Sequence, residues 1–292
     1  MAIISVDRKA CIRCGACVDV CFSARVFELT EQGSSAVRPE ECWLCGHCVA
    51  VCPTDAIDHD TFPLEDCPML GESDVPTLER LTNAFRARRS HRMFEDRPVS
   101  REVIRDLVSL GRFAPSAANR QSLDWVAFDD RDRIAELSRA VISEIKRFLR
   151  WIGHPILRPF IALAIGRDNM RRLRAERASV ERLIQQHSAG EDPIFFHAPV
   201  VLMGHAPANY PLARDDAIYA TYNMMLAAER FGLGTCQIGI FQIVFEKSAR
   251  LRRQFSLPEG RTVQVAVAVG YAAHAFRRVL PRRSPNLTWN PR

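Results

Sequence analysis

Lysine is nearly absent from this sequence. It occurs at Lys9, Lys146 and Lys247, so arginine carries almost all of the positive charge. The net charge is +6 and the sequence pI is about 8.9. Such a surplus either solvates the surface or attracts a phosphate-bearing cofactor, an acidic redox partner or a membrane surface. Long apolar runs are lacking too. The most apolar stretch, Trp151 to Gly166, is too short to span a bilayer and is broken by His154, Pro155, Arg158 and Pro159, so a core or lid segment is expected there. The N-terminus has no basic region followed by a long apolar one, so no secretory signal is expected. G-x-x-x-x-G-K-[ST], G-x-S-x-G and G-x-G-x-x-G are all missing, which argues against a P-loop, a serine-hydrolase elbow and a stably bound dinucleotide. Neither a nucleic-acid partner nor a membrane span is expected.

Cysteine is what the chain has in abundance, and it is clustered. Of ten cysteines, eight fall in two runs, Cys11-x-x-Cys14-x-x-Cys17-x-x-x-Cys21 and Cys42-x-x-Cys45-x-x-Cys48-x-x-x-Cys52, the second followed by Pro53. Thiols three residues apart in a tight loop can point at one centre, and Gly15 and Gly46 sit where the backbone must come close to it. Zinc sites also use C-x-x-C pairs, but zinc needs four ligands, usually as two separated pairs. Three evenly spaced cysteines plus a fourth, written twice, fit iron–sulfur chemistry better. Thiolate ligands call for a reducing compartment, hence the cytoplasm. Ile3, Ile4 and Val6 form a short apolar run. Val26–Leu29 with Ala36–Val37 reads as a hairpin, and Ala56–Asp58 as a closing strand. Cys67 and Cys236 lie outside the motifs and read as plain thiols.

This half resembles a bacterial ferredoxin with two 4Fe–4S clusters over its whole length. The resemblance implies a crossed ligand set, because in such ferredoxins the fourth cysteine of each run ligates the other cluster. Cys11, Cys14, Cys17 and Cys52 would hold one cluster, and Cys42, Cys45, Cys48 and Cys21 the other. One departure is visible: Phe22 follows Cys21 where ferredoxins usually have proline.

Residues 67–78 read as a turn-rich connector between a domain at 1–66 and a larger one at 79–292. In the larger part, Leu78, Leu81 and Phe85 mark an apolar helix face. Arg88, Arg89, Ser90 and Arg92 then place three guanidiniums and a hydroxyl within five residues, a plausible phosphate clamp or else a solvated basic helix end. Ser100 is placed to cap a helix that buries Ile104, Leu107 and Val108. A strand is expected over Leu123–Phe128, a helix through Ile134, Leu137, Val141, Ile145 and Phe148, and strands over Pro199–His205 and Val263–Tyr271. Asp216–Phe231 is apolar nearly all round and reads as a central helix. Residues 146–182 hold ten Lys/Arg against three Asp/Glu, either a solvated helix face or a surface for an anionic substrate or acidic partner. His154, His187 and His197, in or near that stretch, are either structural or proton donors.

Four motifs in order resemble the nitroreductase family of FMN-dependent oxidoreductases. They are Arg88-Arg89-Ser90-His91-Arg92-Met93-Phe94, Ala114-Pro115-Ser116-Ala117-Ala118-Asn119-Arg120-Gln121, Gly232-Leu233-Gly234-Thr235-Cys236-Gln237-Ile238-Gly239, and Val269-Gly270-Tyr271 followed by Leu280-Pro281-Arg282-Arg283. The resemblance implies an α+β flavin domain behind the ferredoxin-like 2×4Fe–4S domain, and a homodimer with FMN at its interface. Arg88, Arg89, Ser90 and Arg92 would hold the FMN phosphate and ribityl chain, with Arg282 or Arg283 approaching the phosphate. Pro115, Ser116, Ala117 and Asn119 would reach the flavin from the other subunit. Gln237, Ile238 and Gly239 would lie along the ring edge, where a backbone N–H can tune it. Ser122-Leu123-Asp124-Trp125 follows Gln121 in place of the family's Pro-Trp, which alters the substrate pocket wall.

The expected function is reduction of a small organic acceptor, such as a nitroaromatic or quinone, with electrons passing between two 4Fe–4S clusters and FMN. Ferredoxin or NAD(P)H would be the donor. No side chain stands out as catalytic. The alternative is an electron-transfer module that docks to a protein partner through the basic 146–182 stretch and has no small substrate of its own.

Overall fold

The computed structural model describes residues 3–156, 160, 163, 166–255 and 257–290. The Trp151–Gly166 run therefore lies partly outside the described residues. The chain divides into two compact units: Met1–Leu78 with Ser116–Gln121, and Glu79–Pro115 with Ser122–Arg292.

The first unit is built on a repeat. Strand β1 (Ile4–Val6) pairs antiparallel with β4 (Ile57–His59), Ile4 opposite His59, while β2 (Phe27–Thr30) and β3 (Gly33–Ala36) form a hairpin. Each cysteine run ends in a short helix, α1 (Ala16–Val20) or α2 (His47–Val51), which follows a left-handed glycine, Gly15 (φ 79°) or Gly46 (φ 71°). An L-residue at either position would be strained, which is why glycine opens both helices. The buried core is small: Cys17, Val26, Phe27, Cys48, Val49 and Ile57, with Cys67 packed partly against it.

The second unit centres on a four-stranded antiparallel sheet ordered β5 (Asp124–Phe128), β6 (Val200–Pro207), β8 (Arg261–Tyr271), β7 (Leu233–Gln237). Strands β6 and β8 are buried along nearly their whole length because helices cover both faces. Alternation along the strands divides the core. Val200, Leu202, Val267 and Val269 meet Ile104 and Leu107 of α4 (Arg101–Gly111) and Met224 of α7 (Ala213–Ala228). Val201, Met203, Ala266 and Ala268 meet Leu137 and Val141 of α5 (Arg131–Gly153), together with Phe241 and Phe245 of α8 (Gly239–Lys247). Helix α6 (Arg167–Ser188) runs back toward β6 through Asp192–Ala198, and α9 (Ala249–Gln254) leads into β8. The expected cap is present: Ser100 Oγ accepts from Val103 N.

The apolar face of α3 (Leu78–Ala87) forms but stays open on this chain, with Leu81 and Phe85 exposed and Phe85 stacked at 6.5 Å on Tyr222 of α7. Helix α7 is not buried all round either, since Ile218, Tyr219 and Tyr222 reach solvent.

Candidate functional site

Left-handed residues shape each cysteine loop. Arg13 (φ 60°) and Gly15 bend the first, Leu44 (φ 51°) and Gly46 the second. The bends turn successive thiols to one side, and the helices that follow bury Cys17 and Cys48. Cys11, Cys14 and Cys17 line one cavity, and the fourth thiol on it is Cys52, from the other run. Cys21 stands with the second group, where its charge acts on Cys42 and Cys48 alongside that of Cys45. Burial pushes the Cys42 thiol up and the Cys48 thiol up to about 12, so thiolate there needs a compensating cation. Backbone donors are already aimed at the sulfurs: Val26 N to Cys21 Sγ at 3.3 Å, Ala56 N to Cys52 Sγ at 3.2 Å and Leu44 N to Cys42 Sγ at 3.4 Å. This donor set fits two iron–sulfur clusters.

The missing proline belongs to a longer loop. The N–H returning to Cys21 comes from Val26, five residues on, whereas that returning to Cys52 comes from Ala56, four residues on. Arg25 (φ 50°) and Asp55 (φ 52°) make matching left-handed turns at the loop ends. Phe22 projects into solvent with the Arg25 guanidinium 5.9 Å from its ring centre.

Two side chains outside the motif also meet the sulfurs. Ser34 Oγ is 3.1 Å from Cys17 Sγ, and His59 Nε2 is 3.7 Å from Cys42 Sγ. Ser34 leaves no mark in the motif. For His59 the signal is the strand period, which places it on the same buried face as Ile57.

In the second unit, Arg88–Arg92 lies alongside β7. Ser90 bridges Thr235, and His91 N donates to Thr235 O at 2.9 Å. Gly234 allows this approach, since a Cβ there would come within 2.6 Å of His91 Cγ. The chain then continues beside the end of β8, where Glu95 N donates to Tyr271 O at 2.9 Å. Arg89 donates to the carbonyls of Arg86, Arg88 and Arg278, yet its buried Nε has no partner among the described residues. A buried unpaired guanidinium N–H is costly, and an anion's oxygen would satisfy it. Burial, then the Arg88 charge, pushes the His91 pKa down, leaving a neutral ring 5.0 Å from Phe276. Burial raises the Glu229 pKa, while Arg88 and Arg89 oppose the rise. Ser90 and Arg92 both reach Cys236, whose thiol burial pushes up, so it remains a neutral packed group.

The other expected residues are spread around the chain. Gln237 and Gly239 are exposed where β7 passes into α8, and the N–H of the buried Ile238 is committed to Ala266 O at 2.8 Å. Arg282 and Arg283 are exposed; the tail's hydrogen bond to Arg89 comes earlier, at Arg278. Pro115 closes a segment of the second unit, but Ser116, Ala117 and Asn119 belong to the first. Asn119 Nδ2 donates to Leu44 O, and to Trp43 O at 3.4 Å, so it grips the second cysteine loop. Ser116 Oγ accepts from Gln121 N, and Gln121 Nε2 donates to Asn119 Oδ1, each at 3.0 Å. Ala118, Asn119 and Gln121 all have positive φ, a strain of roughly 1 kcal/mol or more apiece.

Elsewhere in the second unit, His187 and His197 line a cavity of about 310 Å³ with Arg139 and Asp192, and His154 is exposed at the end of α5. None of the residues expected to hold the flavin lines that cavity. In the basic stretch, Arg171 pairs with Asp168 and Arg177 with Glu181. No helix among the described residues is long and apolar enough to cross a membrane.

Comparison with known proteins gives a match to each unit. The model of the nitroreductase family matches residues 85–271, and that of the 4Fe-4S dicluster domain matches residues 10–56. Nitrobenzene nitroreductase of Ectopseudomonas oleovorans is 27% identical over 224 residues, covering 69% of this chain and 91% of that protein. A ferredoxin of Pyrobaculum islandicum is 44% identical over 54 residues, 18% of this chain and 50% of its own. The solved structure of a nitroreductase with bound FMN from Bacteroides fragilis superposes with a TM-score of 0.54 at 17% identity, covering 72% of this chain and 97% of that one.

Proposed function

The chain belongs to the nitroreductase family and carries a 4Fe–4S dicluster domain ahead of it; from that premise we propose an FMN-dependent oxidoreductase that exchanges electrons between two 4Fe–4S clusters and FMN and reduces a small organic acceptor. The observation that carries the reading is the Arg88–Arg92 clamp beside β7, with a buried Arg89 Nε that has no partner among the described residues. Arg88, Arg89, Ser90 and Arg92 hold the FMN phosphate and ribityl chain, and Arg282 or Arg283 supplements them from the tail. Pro115, Ser116, Ala117 and Asn119 reach the flavin of the other subunit, while Gln237, Ile238 and Gly239 flank the ring. With the Ile238 N–H already bonded, Gly239 at the start of α8 supplies the donor for the ring edge.

Cys11, Cys14, Cys17 and Cys52 ligate one cluster, and Cys21, Cys42, Cys45 and Cys48 the other. The shared cavity of the first four supports this, as does the mutual influence of the second four. FMN, once bound, accepts one or two electrons and so matches one-electron clusters to a two-electron acceptor. The protein's part is to hold the phosphate, bury the ring and exclude water. The open apolar faces of α3 and α7, with Leu81, Phe85, Ile218 and Tyr219, support a homodimer. A nitroaromatic is the acceptor that fits the relative named for nitrobenzene, with quinones next, and ferredoxin or NAD(P)H serves as donor.

The clamp is tested by combining Arg88→Ala with Arg92→Ala. The purified double variant should keep its iron and lose its flavin, read from absorbance and metal analysis. Full flavin occupancy would show that the phosphate sits elsewhere. Anaerobic turnover of nitrobenzene and a quinone separates this enzyme from a module that only hands electrons to a protein partner.

A further inference from the structure

The two cysteine loops share one plan but differ in the charges and donors around them. Around the first group, Arg8 and Arg13 hold the β2–β3 turn through the carbonyls of Gln32 and Glu31, each at 3.2 Å, and their charges reach Cys11. Ser34 adds a hydroxyl beside Cys17. Around the second group the Asp60 charge reaches Cys42, while the Arg25 guanidinium beside Cys21 is turned over the exposed Phe22 ring.

His59 stands between that carboxylate and the sulfur. Its side chain is buried and packs 4.9 Å from the Phe62 ring. Thr61 N donates to His59 Nδ1 at 3.1 Å, so Nδ1 is the acceptor and the proton sits on Nε2, which faces Cys42 Sγ at 3.7 Å. Asp60 Oδ1 lies 3.4 Å from Nδ1, but the carboxylate is engaged by Ile3 N and Thr61 Oγ1, each at 3.0 Å. The ring therefore presents a fixed N–H to the sulfur. In the repeat, Leu29 takes the place of His59, exposed and without a donor, so the first group has no counterpart.

We propose that the two clusters are unequal, the one at Cys11, Cys14, Cys17 and Cys52 having the higher potential, and that His59 is the positioning residue that keeps the lower-potential cluster at Cys21, Cys42, Cys45 and Cys48 from falling further. The inference rests on the two-cluster reading above. Its physical basis is that reduction adds one negative charge to a cluster. Nearby cations and N–H donors to sulfur favour that charge, whereas a carboxylate opposes it. A singly reduced chain thus keeps its electron on the first cluster. The second electron occupies the cluster whose loop Asn119 grips, and it is the stronger reductant of the two.

The test is an anaerobic potentiometric titration of the full-length holoprotein, with each cluster followed by electron paramagnetic resonance. Wild type should show two one-electron waves. His59→Phe should move the lower wave down by about tenfold in its equilibrium constant, 59 mV for one electron, and widen the gap. His59→Gln, which keeps an N–H donor, should restore most of that loss. Arg8→Gln with Arg13→Gln should move only the upper wave down, by about threefold because both guanidiniums are exposed, and narrow the gap. The inference is overturned if His59→Phe moves the upper wave or neither wave at full iron content, or if the arginine pair moves the lower wave. If both His59 variants lose iron, the arginine pair decides: narrowing supports the inference, and an unmoved upper wave overturns it. A wild-type protein without two cluster waves would instead sink the two-cluster reading itself.

Discussion

In the first unit, two of the six core residues buried among those described are cysteines of the ligand runs, Cys17 and Cys48. In the second, the core is aliphatic and aromatic on both faces of a sheet, with Leu107, Leu137, Phe195, Phe241 and Phe245 almost wholly buried, and the expected cofactor residue Ile238 belongs to it. The two units draw their stability from different sources. A unit this small buries too little apolar surface to hold itself together, so its inorganic centres are part of its core. The sheet unit builds an apolar core from its own side chains. Each fully buried leucine or phenylalanine contributes about 1.5–3 kcal/mol there.

Removing the iron is the sharpest way to break this contrast and has the largest expected effect. Structural metal sites contribute on the order of 10 kcal/mol to folding. Anaerobic chelation should therefore abolish the first unit's calorimetric transition and leave the second unit's in place. Persistence of the first transition after full iron removal would mean that its six-residue core suffices alone.

An intermediate effect is expected from Gly234→Ala, whose new Cβ would meet the His91 ring. Overpacking of this kind costs about 1–3 kcal/mol. The second unit's melting temperature should fall and flavin content with it, while iron stays constant. Unchanged flavin would show that the Arg88–Arg92 segment need not lie against β7.

The smallest effect should come from Ser100→Ala, which removes the cap on α4 and costs about 1 kcal/mol. Differential scanning calorimetry should register it in the second transition only. A shift in the first would show that the two units do not unfold independently.

Much of this was legible from residue order. The cysteine spacing marks the ligand-bearing loops, because loop geometry is local and each thiol's direction follows from the two or three residues before it. The Ser100 cap and the paired apolar strands were legible for the same reason, with boundaries that differ by a residue or two: Asp124–Phe128 where Leu123–Phe128 was expected, and Arg261–Tyr271 where Val263–Tyr271 was. The partners of the clamp were not legible. Nothing near Arg88 in sequence points to Glu229, Phe276 or the Arg278 carbonyl, which arrive from distant parts of the chain. The open face of α3 escapes as well, since periodicity shows that a helix has an apolar side without showing whether its own chain covers it.

The division between sequence and tertiary structure follows the range of the forces involved. Short-range chemistry, the spacing of thiols, the bends at Gly15 and Gly46 and the density of guanidiniums at Arg88–Arg92, is written in consecutive residues. It determined that this chain has two cysteine runs suited to iron–sulfur clusters and a clamp suited to phosphate. Tertiary structure decided which long-range neighbour meets each of these. Chain folding brings Cys52 to the first group and Cys21 to the second, points His59 at Cys42, holds Asn119 on Leu44 O and leaves one Arg89 N–H without a partner among the described residues. Those pairings depend on strand register and loop length, which set distances between residues far apart in sequence.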